Sequence, residues 1–143
     1  MENSRWGLNR FACTATYRTT FTLPPGYLGA NRALTLDLGS VKNIAEVSLN
    51  GKPLGILWKE PFRVDVTDAL VEGKNELAIQ ITNLWANRLI GDANLPAEKR
   101  RTWTSGEFFK ATDPLLPSGL LGPVQILPAE LIEYPSPLSK NNN

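Results

Sequence analysis

Apolar and polar residues alternate with a period of two along much of this chain. Over 16–23, Tyr17, Thr19, Phe21 and Leu23 interleave with Thr16, Arg18, Thr20 and Thr22, and Pro24-Pro25-Gly26 follows. Such alternation predicts a strand with one face on a core and the other in water, stopped by residues that break strands. Leu34, Leu36 and Leu38 repeat it before Gly39. Val47 and Leu49, then Asn50-Gly51, then 54–58 predict a hairpin, because Asn-Gly supplies the two positive φ angles of a tight turn. Phe62, Val64 and Val66 alternate again and lead into 67–70, read as one capped helical turn. Gly73-Lys74-Asn75 turns the chain into a strand carrying Leu77, Ile79 and Ile81, and a last strand covers 124–127. About six to eight short strands punctuated by Gly and Pro, with no helix long enough for a βαβ unit, predict an all-β antiparallel sandwich or jelly roll.

The stretch over 84–119 breaks this pattern. It holds Trp85, Trp103, Phe108, Phe109, several charges and three prolines without a sustained period. A long aperiodic segment inside a compact domain is commonly a functional excursion or a partner contact. The expected organisation is a lead-in over 1–11, a sandwich over 12–134 and a disordered tail over 135–143.

Composition narrows the chemistry. The chain has 143 residues, enough for one domain with its own core, and 20% charged residues, which suits a globular protein. Fifteen Lys+Arg against 14 Asp+Glu give a net charge of +1 and no electrostatic reason to expect nucleic acid or an anionic membrane. No apolar run is long enough to span a bilayer, and the first residues lack a signal peptide's apolar segment. Cys13 is the single cysteine, so neither an intrachain disulfide nor a cysteine zinc site can form. Histidine is absent, which removes Ser-His-Asp and Cys-His catalysis.

The run Asp37-Leu38-Gly39-Ser40-Val41 with Ala45-Glu46-Val47-Ser48-Leu49-Asn50-Gly51-Lys52-Pro53-Leu54-Gly55 resembles the galactose-binding-like sandwich of family 2 glycosidases. So does Trp58-Lys59-Glu60-Pro61-Phe62-Arg63-Val64-Asp65-Val66. Thr82-Asn83-Leu84-Trp85-Ala86-Asn87-Arg88 and Leu115-Leu116-Pro117-Ser118-Gly119 look more particularly like the C-terminal domain of glycoside hydrolase family 106, the α-L-rhamnosidases. The resemblance covers roughly residues 12 to 128. It implies an accessory module of a polysaccharide-degrading enzyme, secreted or periplasmic in a bacterium, without the catalytic domain. Its implied partners are an oligosaccharide or polysaccharide and a catalytic glycosidase domain. It leaves room for a structural calcium held by backbone carbonyls and implies no other cofactor.

Sugars stack their C–H faces on aromatic rings while amides, carboxylates and guanidinium groups bond the hydroxyls. Two clusters offer that mixture: Trp85, Asn87 and Arg88 with Asp92, and Arg101-Thr102-Trp103-Thr104 with Glu107, Phe108 and Phe109. Each has a plainer reading. Trp85 can cap the core, Arg88 can pair with Asp92 four residues on, and Trp58 reads as a packing residue. Asp37, Asp65 and Asp68 read as turn caps. No spacing singles out the two carboxylates that glycoside hydrolysis needs.

Two functions therefore compete. One is a non-catalytic carbohydrate-binding module, which the aromatic stretch favours. The other is a structural accessory domain that docks on a catalytic domain. The second requires Leu84, Leu89, Ile90, Leu115, Leu116, Leu120 and Leu121 to form an exposed apolar patch rather than core.

Overall fold

A computed structural model describes residues 13–29 and 31–132. The lead-in over 1–11, with Trp6, and the tail over 135–143 lie outside them. In chain order the described elements are β1 (Thr14–Leu23), β2 (Arg32–Asp37), β3 (Ser40–Lys42), β4 (Ile44–Leu49) and β5 (Lys52–Leu57). Then come β6 (Arg63–Asp65), β7 (Gly73–Thr82), helix α1 (Ala86–Ala93), a 3-10 turn (Ala97–Lys99), β8 (Gly119–Gly122) and β9 (Gln125–Glu130). A four-stranded sheet runs β1-β7-β4-β5, a three-stranded sheet β6-β2-β9, and β3 pairs with β8. All of these strand pairs are antiparallel.

The alternating residues face inward as their period requires. Leu77, Ile79 and Ile81 of β7 and Ala45, Val47 and Leu49 of β4 are buried in the same cluster as Leu34 and Leu36 of β2, closed by Phe62, Val66 and Leu70. This is the all-β sandwich that the pattern predicts. β1 departs from the expectation in one respect. Its inward positions pair with buried partners, Tyr17 opposite Ile79 and Thr19 opposite Leu77, yet Tyr17 and Thr19 stay exposed. Of the inward positions of β1 only Phe21 and Leu23, toward its C-terminal end, reach the core.

Asn50 and Gly51 form the β4–β5 turn with φ of 53° and 77°. Asn50 does more than turn the chain. Its Nδ2 donates to the Ala69 carbonyl and to Asn75 Oδ1, both at 2.8 Å, and its Oδ1 accepts from the Glu76 amide. Asn75 is fully buried. Its Oδ1 also accepts from Val71 N, while Nδ2 donates to the carbonyls of Val71 and Gly73. One side chain therefore closes the turn before β7 and ties it to the β4–β5 hairpin. Asn75→Ala orphans two part-buried donors and two acceptors together, so it is expected to lower stability by about 2–3 kcal/mol in urea unfolding.

The segment after β6 closes a single helical turn, with the Leu70 amide bonded to the Val66 carbonyl, as expected. Asp65 caps it through the Thr67 amide, and Asp37 caps the turn at Gly39 while pairing with Arg63 at 2.8 Å. Asp68 contributes only its carbonyl, to Lys52.

Candidate functional site

The stretch over 84–119 is less irregular than its sequence reads. It begins with α1, whose buried residues are Ala86, Asn87, Ile90, Gly91 and Asp92. Ala86, Leu89, Ile90 and Ala93 recur at the i, i+3, i+4, i+7 spacing of an amphipathic helix, but over barely two turns, and the polar Asn87 and Asp92 are buried beside them. The polar pair is inward because it holds the loops that follow. Asn87 donates from Nδ2 to the Leu116 carbonyl and accepts from the Leu116 amide at Oδ1, each at 2.8 Å. Asp92 Oδ2 accepts from the amides of Arg101 and Thr102 and from the Thr102 hydroxyl, at 3.0, 2.8 and 2.6 Å. Its Oδ1 receives Arg88 Nη2 at 2.6 Å. Asn94, just past the helix, donates to Ile90 O and Ala111 O. Helix α1 thus acts as a post to which the loop is fixed near residues 101, 111 and 116.

Burial pushes the Asp92 carboxyl up. The Thr102 hydroxyl, the two backbone amides and the Arg88 guanidinium together outweigh that cost and hold its pKa below the usual carboxylate range.

Between the anchors the chain swings into solvent. Trp103 is 84% exposed, Phe108 and Glu107 are exposed, and Thr104 Oγ1 closes the loop tip on the Gly106 carbonyl at 2.7 Å. Under this loop lies an open concavity of about 790 Å³ lined by Trp103, Glu107, Phe108, Arg100, Arg101 and Lys110 among others. Of the six site residues expected from sequence, the structure places Trp103, Glu107 and Asp92 on this concavity. Only the first two offer free polar or aromatic groups to it, since the Asp92 carboxylate is already engaged. Arg88 supports Asp92, and Asn87 supports Leu116. Arg101 belongs to the second sequence cluster with Trp103, whereas Arg100 and Lys110 do not, because a basic residue in a loop has no sequence mark that separates a binding wall from a solvated surface.

Two tryptophans differ from their packing readings. Trp85 is 59% exposed at the start of α1, and Trp58 is 69% exposed just beyond edge strand β5, with Lys59 Nζ 5.6 Å from its ring centre. Neither caps the core.

A second surface lies at the other end of the loop. Leu84 and Leu116 share the rim of a cavity of about 220 Å³ with Lys42, Asn43, Ala86 and Pro117. Leu84 is 61% and Leu116 47% exposed, and Leu115 and Leu121 are exposed as well. Within the candidate patch only Ile90 is fully buried, while Leu120 leans on the core and Leu89 is half-buried. The Leu84 amide is held by Asn43 Oδ1 at 3.2 Å and Leu116 by Asn87, so the apolar side chains stand outward on fixed backbone.

Among the described residues no three His, Cys, Asp or Glu side chains gather to hold a metal ion. None of the described helices is long and apolar enough to cross a membrane.

Known proteins share this domain within much longer chains. A protein of Formosa agariphila provisionally named a beta-glucuronidase is 44% identical over 84% of this chain, which spans 12% of its length. The rhamnosidase of Novosphingobium sp. PP1Y superposes with a TM-score of 0.80 at 41% identity, covering 90% of this chain and 12% of the enzyme. Most of the length of these proteins, including the catalytic domain of the glycosidases, has no counterpart here. Residues 3–111 match the family described as glycosyl hydrolase 2 galactose-binding domain-like, and the chain belongs to that family.

Proposed function

We propose that this domain is a non-catalytic accessory module of a glycoside hydrolase, docking on the catalytic part through the apolar face around Leu84 and Leu116. The observation that carries this reading is the exposure of Leu84 and Leu116 on the rim of one cavity, each on an anchored backbone amide. Clusters of exposed leucine are costly to leave in water and mark contact surfaces. The occupant is the remainder of the long chains in which this domain's relatives are embedded, of which the domain itself is 12%.

The test uses a chimera in which this domain replaces its counterpart in the Novosphingobium rhamnosidase. Leu84→Asp with Leu116→Asp is expected to change the isolated domain's stability by no more than about 0.5 kcal/mol, as surface substitutions do. In the chimera the same pair is expected to lower the melting temperature by several degrees or to separate the domain. An equal effect in both settings removes the docking face.

A second reading, direct contact with carbohydrate, is supported by the concavity beneath Trp103. An exposed indole beside polar groups on a fixed loop is the arrangement that sugar stacking uses. This surface is separate from the docking face, and the two roles are compatible in one accessory domain. Titration with neutral and acidic oligosaccharides, followed at the Trp103 indole N–H, tests it; a signal that moves with none of them removes it.

A further inference from the structure

The walls of the concavity are not those of a neutral-sugar site. Arg100, Arg101 and Lys110 all line it, and among the described residues none of the three is in an ion pair. Arg100 Nε is directed at the Leu95 carbonyl at 3.0 Å, which fixes its stem while its charge stays uncompensated. Two acids share the lining. Asp92 is buried and neutralised by Arg88 at 2.6 Å, leaving Glu107 as the one exposed carboxylate against three cations. A local positive excess is thus built into a chain whose net charge is only +1. Trp103 and Phe108 line the same concavity. Cations and exposed rings together suit a ligand with an apolar face and a negative charge.

We infer that the concavity between α1 and the 100–111 loop takes an anionic oligosaccharide, its ring on Trp103 and its acid group on Arg101 and Lys110. This rests on the carbohydrate reading and names its substrate class. The charge can be a uronate carboxylate or a sulfate ester, since both are recognised by the same guanidinium and ammonium donors. A site of this kind reads charge more than ring identity, and its affinity falls with salt because the cations are exposed.

The test titrates the 143-residue chain with oligogalacturonate, its fully methyl-esterified form and a sulfated oligosaccharide, following the Trp103 indole N–H. The acid is expected to bind at least about tenfold more tightly than the ester, a difference that disappears at 0.5 M NaCl on the order of the screening expected there. Arg101→Gln with Lys110→Gln is expected to erase the preference for the acid while leaving the melting temperature in place. A sulfated chain bound as tightly as the acid extends the site to sulfate esters, and one bound no better than the ester restricts it to uronates; each supports an anionic ligand. Equal affinity for acid and ester overturns the inference and leaves carbohydrate contact standing. Discrimination that survives the double substitution overturns the assignment to these cations. No response to any of the three ends both the inference and the reading beneath it.

Discussion

Gly39→Ala is expected to lower stability by about 3–5 kcal/mol, the largest effect of any single methyl group added to this domain. Gly39 follows β2, has a φ of +62°, and forms a parallel bridge to Gly122. A Cβ there would lie 2.4 Å from both the carbonyl carbon and oxygen of Gly122 and 2.8 Å from the Pro123 nitrogen. All three are backbone atoms, so no rotamer can move aside. Relief requires β8 to retreat from β3, which loosens Val41 and Leu120 against the core. Gly26 supplies the control. Its φ is +74° but nothing lies within 4 Å of the added carbon, so Gly26→Ala should cost only about 1 kcal/mol, the conformational part. Urea unfolding of the two variants separates strain from close approach. Equal losses would mean that the Gly39–Gly122 contact is not a constraint.

Asp92→Ala is expected to cost about 3 kcal/mol and to release the 100–111 loop. The substitution leaves the Arg88 guanidinium without its carboxylate, and it orphans the amides of Arg101 and Thr102 with the Thr102 hydroxyl. Hydrogen exchange should show the loss locally, with those two amides becoming fast while β4 and β7 keep their protection. The pH dependence has a fixed sign. Because the folded pKa of Asp92 lies below the ordinary carboxylate value, the unfolded chain takes up the proton first as pH falls. Its contribution is therefore complete above about pH 4 and is lost as pH drops through the folded pKa. The unsubstituted domain should lose stability in that acid window more steeply than Asp92→Asn. Parallel curves would show that Asp92 is not the charged anchor of the loop.

The sandwich was legible because its signals are local. Period-two leucine and valine runs mark β2, β4 and β7, and Asn50-Gly51 marks the hairpin by its backbone geometry alone. Much of the candidate site was hidden for the opposite reason. Helix α1 carries a short apolar spacing, but the loop partners of its buried Asn87 and Asp92 lie 9 to 29 residues away, and residues that look suited to a sugar prove to be the fastenings of the loop. Trp103 was legible as exposed chemistry because Thr and charged residues flank it. The cations beside it become a wall only when the anchors at 92, 94 and 87 fold the loop over. Exposure of Leu84 and Leu116 depends on which loop covers which strand end, a long-range outcome that no window of sequence encodes.

The docking face is tested most directly by hydroxyl-radical footprinting of Leu84 and Leu116 in the isolated domain and in the rhamnosidase chimera. An accessory domain that docks through this face should show both leucines labelled strongly when isolated and at least about fivefold less in the chimera, with Trp103 labelled in both. Leu84 and Leu116 labelled equally in the two settings would contradict it, and the domain's place would then rest on the Trp103 concavity alone.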